Sequence, residues 1–473
     1  MAQGPASKDA AEDTRLDPSV WRIAAVALFG GLLAQLDATI INVSMSNLAT
    51  DLHANFSIIQ WVISGYLLAL ALALPLNGWL VGRIGAKSLY LWCFAGFTLS
   101  SALCGLAWSA DALIAFRILQ GVSGGLLAPM AQMMIAKTAG RHMARVAGYM
   151  ALPVLLAPVF GPIIAGAILQ YASWRWLFLV NLPVGALAFL LAVLFLPADR
   201  EAVTDKKLDW LGLALLSPGL ALCLYGADKI GQMTGSATLA AGIIMISGFL
   251  WAARRKGDAA LVDLRLFKVR VFSTAVMAQS LSNGVQFAGQ MLIPAFLIQA
   301  CDRAPAEMGW MLAPLGLGML VTYPQMGALI DRFGIRAVSA GGALLTFIAT
   351  MPFLYLALNG LNLFILIPVL FLRGLGMSAV GLPSMTAAYA SVPKQDLPMA
   401  TTSLNIAQRL GGPIMTTLCA TFLAWRLGPH VSGPAVAIAY AWAFLLLCGL
   451  HVGVFLAARQ LPCRLDDVKR TEG

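Results

Sequence analysis

The stretch Gly78-Trp79-Leu80-Val81-Gly82-Arg83-Ile84-Gly85-Ala86-Lys87 returns later in the chain as Gly327-Ala328-Leu329-Ile330-Asp331-Arg332-Phe333-Gly334-Ile335-Arg336. From Gly78 to Gly327, from Arg83 to Arg332 and from Gly85 to Gly334 the separation is 249 residues each time. Both copies are short polar breaks in apolar sequence, and each follows the second apolar run of a six-run block. A recurrence at fixed offset over this distance marks two homologous halves. Six membrane helices with their loops need roughly 200 residues, so the offset leaves room for two more runs, and 210–254 supplies them. The expected architecture is six plus two plus six.

Composition agrees. The chain has 473 residues, 60% of them apolar and only 11% charged. A soluble domain carries roughly 25% charged residues to cover its surface, so a soluble globular fold is excluded, and the same figures exclude disorder. The seven cysteines are scattered without Cys-x-x-Cys spacing and the four histidines do not cluster, which supports neither a disulfide framework nor a metal site. Apolar runs of about 20 residues or more number fourteen. The predicted fold is an all-α polytopic membrane protein with both termini cytoplasmic. A tail (1–20) precedes a six-helix bundle (21–196). Two extra helices with flanking linkers (197–270) lead to a second six-helix bundle (271–458) and a tail (459–473). The first apolar run lacks a cleavage signature and reads as a retained span.

The 31 Lys and Arg test the orientation. With a cytoplasmic N-terminus, four fall in outer loops (Arg175, Lys229, Arg303, Arg426), three inside spans (Arg117, Arg373, Arg409) and the other 24 on the cytoplasmic side. That asymmetry is the positive-inside pattern. The net charge of +10 therefore reflects topology and contact with membrane lipids rather than a nucleic-acid surface.

Of the 21 acidic residues only Asp37 lies well within a span. A lone carboxylate in low dielectric is costly while ionised and takes up a proton readily, as a proton carrier must. A fixed ion pair with Arg117 and a simple polar contact are the structural alternatives. Asp37 lies about 24 Å from the cytoplasmic start of its helix and Arg117 about 30 Å from the cytoplasmic end of its own, so both sit in the outer half. Gln279, Asn283, Gln286 and Gln290 share one face of the ninth span. This amide stripe lines either a substrate cavity or a helix contact. A second stripe, Gln35, Thr39 and Asn42, runs along the first span with Asp37 nearly opposite. The thirteenth span carries Asn405, Gln408 and Arg409 ahead of Gly411-Gly412-Pro413. With Gln120 and Arg373, these stripes are the candidate substrate contacts. Three interior arginines against one acid suit a neutral or acidic amphiphile better than a lipophilic cation. Pro162, between Gly161 and Gly166, is either a hinge for alternating access or an ordinary helix kink.

Taken together these residues resemble the major facilitator superfamily, and within it the 14-span drug:proton antiporters (EmrB/QacA-like). The repeated loop resembles the superfamily's G-x-L-a-D-r-x-G-r-k signature. Leu36-Asp37-Ala38-Thr39-Ile40-Ile41-Asn42-Val43 is close to L-D-x-T-I-v-N-V. Arg117-x-x-Gln120-Gly121 matches R-x-x-Q-G, and Gly161-Pro162-Ile163-Ile164-Ala165-Gly166 is near G-P-x-x-G-G. Trp174-Arg175-Trp176, followed by Phe178, Asn181, Pro183 and Gly185, opens the sixth span as in close relatives. Three positions depart from these patterns: Gly82 replaces the loop's acid, Ser46 a proline, and Ala165 a glycine.

The resemblance implies a proton-coupled exporter of drugs or other amphiphiles in the cytoplasmic (inner) membrane. It would be no enzyme, with no cofactor other than the proton as coupling ion. Asp37 and Arg117 would be neighbours in the bundle. Gating or hinge roles would fall to Gly78, Gly82, Arg83, Gly85, Lys87, Gly161, Pro162, Gly166, Gly327, Asp331, Arg332 and Gly334. The expected partners are lipids, a small amphiphilic substrate and a periplasmic adaptor, with the protein a monomer. A lipid or metabolite transporter of the same fold, or a non-transporting sensor, is the alternative. Two motifs are decoys. Gly121-Val122-Ser123-Gly124-Gly125 fits the hydrolase G-x-S-x-G but lies in an apolar helix. Gly85-Ala86-Lys87-Ser88 lacks the glycine that a phosphate loop places before its lysine.

Overall fold

The computed structural model describes residues 17–199, 207–229, 233–304, 307–428 and 434–464. Residues 1–16 and 465–473 of the two expected tails lie outside them. Among the described residues there is no strand, and long helices follow one another along the chain. The first bundle comprises α1 (Pro18–Val43), α2 (Phe56–Ile84, tightened by a 3-10 turn at Leu74–Leu76), α3 (Ala86–Gly105), α4 (Ala110–Ala139), α5 (Met143–Tyr171) and α6 (Trp176–Phe195). Two helices follow, α7 (Trp210–Asp228) and α8 (Met233–Lys256). The second bundle comprises α9 (Arg270–Gln299), α10 (Met308–Phe333), α11 (Ile335–Asn359), α12 (Leu363–Ala390), α13 (Leu397–Leu427) and α14 (Pro434–Arg459).

Eleven of these helices are long and apolar enough to cross a membrane. α10 and α13 are less apolar, and the described apolar stretch of α5 is Met143–Ala157. α13 carries Asn405, Gln408 and Arg409, and α10 ends in Asp331 and Arg332. On α13 these side chains turn toward protein, so that helix does not need an apolar circumference, whereas the charged end of α10 is exposed.

The repeated loops explain why the halves look alike. Gly85 and Gly334 interrupt the chain between the second and third helices of each half with φ of 86° and 82°. Glycine reaches this region without the Cβ penalty. In each half the end of the sixth helix then closes onto the turn. Asp199 accepts hydrogen bonds from the Lys87 and Ser88 backbone N–H groups (2.8 and 3.0 Å), satisfying first-turn donors that a helix leaves open. The Cys463 carbonyl accepts from Ile335 N–H at 3.0 Å in the second copy. The base that ends each loop holds carbonyls after the sixth helix: Lys87 reaches Leu196 at 2.8 Å, and Arg336 reaches Leu461 at 2.7 Å.

The hydrophobic core shows how the bundles meet. At the end bearing the repeated loops one cluster runs through both halves, from Val81, Met134 and Val146 to Met326, Ala388 and Leu404. At the opposite end each bundle has its own cluster, around Ile41, Val62 and Phe178 in the first and around Phe296, Phe353 and Phe444 in the second. The joined end also carries hydrogen bonds between bundles. Asn77 donates to Thr402 Oγ1 (3.3 Å), while Gln132 Oε1 accepts from both Tyr389 (3.0 Å) and Asn405 (2.8 Å).

α7 and α8 pair with each other and pack outside the bundles, with α7 against α2 and α13. Ser217 donates to the Leu72 carbonyl at 2.9 Å, and Trp61 stacks on Tyr225. A clasp closes this hairpin: Asp209, the N-cap of α7, bonds Gly212 N–H (2.9 Å), Leu261 N–H (3.2 Å) and the Lys256 ammonium at the end of α8. Burial raises the Asp209 carboxyl, but the Lys256 ammonium and the two N–H groups outweigh it and hold the carboxyl below its ordinary value. Part of the basic run 254–270 is thereby tied to structure: Lys256 pairs with Asp209, Arg265 with Asp263, and Arg255 lies over Trp251.

Candidate functional site

Asp37 sits on α1 with its side chain pointing into the first bundle, 1% exposed. Three donors from two helices converge on it. Arg117 Nη1 of α4 meets Oδ2 at 2.5 Å. Gln120 Nε2, one turn further on, meets Oδ1 at 3.1 Å, and Asn181 Nδ2 of α6 meets the same oxygen at 3.0 Å. The i, i+3 spacing of Arg117 and Gln120 puts both on one face of α4, and Gln120 Oε1 also accepts from Arg117 at 2.8 Å. Arg117 completes its shell with the Val62 carbonyl (3.1 Å) and with Tyr66 and Phe178, whose ring centroids lie 4.1 and 5.7 Å from its Cζ. Asn181 is fixed in turn by Ser101 Oγ at 3.1 Å. The result is a desolvated ion pair with its lone pairs and protons satisfied, the condition under which a buried pair is tolerated.

Corresponding helices of the second bundle build a relative of this site. Arg373 of α12 takes the place of Arg117 and is equally buried. Its Nη1 donates to Thr350 Oγ1 of α11 and lies 3.3 Å from His451 Nε2 of α14. Gly289 of α9 occupies the position facing the guanidinium, against Nη2, where the first bundle has Asp37. Among the described residues no carboxylate pairs with Arg373.

The amide stripe of α9 is divided rather than given to one cavity. Asn283 donates to the Gln408 carbonyl of α13 at 2.7 Å, a helix contact. Gln279 is half-buried near Gly381 of α12, and Gln286 lines a small cavity beside Arg373, while Gln290 is exposed. On the first span Thr39 turns to α5, where it lies against Gly161 and donates to Leu36 and Gln35 of its own helix. Gln35 is half-buried. The side chains of Asn42 and Pro162 lie outside the described residues; the helix α5 runs on through position 162. Gly166 is exposed and has open space around it. Asn405 serves the contact between bundles rather than an open cavity, since it donates to Gln132 of α4. Arg409 is half-buried on α13.

Gly78 packs on Met399 and Thr402 of α13, and Gly327 on Arg145 of α5, so both copies of the repeated loop lead into the joined end. Gly82 is half-buried and Arg83, Asp331 and Arg332 are exposed, the last over Phe333. Gly121 and Gly125 explain the hydrolase-like motif: they let α4 press against the Tyr66 and Leu70 carbonyls of α2.

A model of the Major Facilitator Superfamily matches residues 27–299 and 274–460. The chain belongs to the major facilitator superfamily. It is 32% identical over 430 residues to a multidrug resistance protein B homolog of Mycobacterium tuberculosis, a match covering 89% of this chain and 79% of that protein. It is 28% identical over 455 residues to a putative multidrug resistance protein MdtD of Serratia proteamaculans, covering 93% of each. Among solved structures, the proton:xylose symporter XylE has a TM-score of 0.63 at 15% identity, covering 95% of this chain and 98% of that one. The human organic anion transporter MFSD10 has a TM-score of 0.63 at 19% identity, covering 93% of this chain and 100% of that one. These likenesses share the fold. The chain is a multi-pass membrane protein of a transporter family with relatives named for multidrug resistance.

Five functional neighbours had no place among the sequence-derived candidates: Tyr66, Ser101, Asn181, Thr350 and His451. Two signals were available: Asn181 stands in the motif that opens the sixth span, and a spacing recurs. Ser101 and Thr350 are separated by the same 249 residues as the repeated loops.

Proposed function

We propose that the chain is a proton-driven exporter of small amphiphilic molecules, working by alternating access across the inner membrane on fourteen spans with both termini cytoplasmic. The observation that carries the reading is Asp37: a carboxylate fully removed from solvent, held by Arg117, Gln120 and Asn181 in the outer half of the first bundle. Adding a proton neutralises it and dissolves the pair that ties α1 to α4, while Arg117 keeps its charge and its hold on the Val62 carbonyl and the Tyr66 ring. With the repeated loops on the cytoplasmic side, the joined end is the inner one. The half-buried cation Arg409 on α13 favours a neutral or acidic amphiphile.

The test uses purified protein in liposomes under an imposed pH gradient. Asp37→Asn is expected to abolish pH-driven transport while leaving substrate binding measurable. Full pH-driven activity in that variant would remove the coupling assignment. Absence of proton movement with cationic, neutral and anionic amphiphiles alike would favour a sensor.

A further inference from the structure

The second bundle buries a guanidinium that has no counter-ion among the described residues. Arg373 is 1% exposed, and its two partners through Nη1, Thr350 and His451, are neutral. Arginine only donates, so His451 accepts at Nε2 and carries its proton on Nδ1, which leaves it no positive or negative charge to offer. Nη2 is buried and has no hydrogen-bond partner. In the first bundle the corresponding guanidinium meets a carboxylate from the first helix of the half; here the first helix presents Gly289. Arg373 lines a cavity between α9, α11, α12 and α14, together with Ser282, Gln286, Thr346 and His451. The space open to the centre of a water-sized sphere is about 20 Å³, enough for a single small occupant. Apolar walls from Val285, Met377, Val380 and Val454 surround it.

We infer that this cavity binds one chloride ion, which completes the charge pair that Asp37 completes in the first bundle. The positive charge is desolvated and belongs to a residue on the wall of a small cavity, and Ser282 and Gln286 bring a hydroxyl and an amide to the same wall. The small volume suits a halide better than a carboxylate on a carbon chain. It does not depend on Asp37 being the proton carrier.

The experiment compares thermal unfolding of the purified full-length protein in sodium chloride, bromide, acetate and gluconate at equal ionic strength. Chloride and bromide are expected to raise the midpoint by about 1–3 °C over gluconate, saturably. Gly289→Asp places a carboxylate against Nη2, and only the flexible end of Arg373 has to give way to it. That variant is expected to lose the halide shift and to melt in gluconate no lower than the parent protein. Arg373→Met is expected to lose the shift as well. Identical curves for the parent protein in chloride and gluconate overturn the inference. So does a shift that persists undiminished in Gly289→Asp, or one that acetate produces and halides do not. If Arg373→Met fails to fold, the parent protein and Gly289→Asp still decide.

Discussion

Asp37 and Arg117 face each other in a place where neither could stay charged alone. Removing one partner of a desolvated pair leaves an uncompensated charge and costs about 3–5 kcal/mol, whereas replacing both with apolar residues is often neutral. Arg117→Met is therefore expected to destabilise the protein by that amount, and Asp37→Leu with Arg117→Met together by much less than the sum of the two single changes. Thermal unfolding of the four proteins in one detergent measures the coupling, and additive penalties would show that the pair is not the unit. The sequence singled out both residues, because one acid among so many apolar residues is visible from composition alone. Of their shell it singled out Gln120, one turn from Arg117, but not the role of the rest. Asn181 and Ser101 are ordinary small polar residues in apolar runs, and only the packing of α6 and α3 against α1 turns them into ligands of a carboxylate. His451 is hidden for the same reason: a lone histidine in an apolar run says nothing about the arginine on another helix that it meets.

A helical stripe is a more ambiguous unit than a single charge. The four amides of α9 share a face, as their spacing predicts, yet neighbouring helices divide that face among a helix contact, a small cavity and an exposed position. Periodicity locates the face and leaves open what covers it. The repeated loops are easier to read because glycine, base and turn geometry are local, so both copies fold alike. The α7–α8 hairpin belongs to the same scale. Asp209 clasps it with two backbone N–H groups and the Lys256 ammonium, and its carboxyl is held below the ordinary value. A lowered folded value stabilises above the unfolded one, about 3.9. The clasp is thus fully present from pH 5 upward and is lost only as pH falls through the folded value. Asp209→Asn is expected to speed amide hydrogen exchange at Gly212 and Leu261 about tenfold at pH 7, with little change at Ser217. Unchanged exchange at Gly212 and Leu261 would mean that packing, not the carboxylate, closes the hairpin.

For the whole molecule, the asymmetry between the two ends is the property that function needs. The merged core at the loop end resists separation, but apolar burial is not specific to one arrangement of two rocking bundles. Specific hydrogen bonds supply that choice, and Gln132 carries two of them through one oxygen, from Tyr389 and Asn405. Gln132→Leu keeps similar bulk and removes the shared acceptor. Each lost bond is worth about 1 kcal/mol net, so the closed inner end should lose about 2 kcal/mol relative to the opposite arrangement, a population change of about thirtyfold. Spin labels placed on exposed positions of the two repeated loops, Arg83 and Arg332, read this directly. The parent protein is expected to give a single short distance, and Gln132→Leu a second, longer population, while Asn77→Leu gives a smaller change because its bond to Thr402 is longer. A distance distribution indifferent to Gln132 would place the control of the inner end in the apolar core itself. The alternation of the bundles would then rest on shape rather than on this polar clamp.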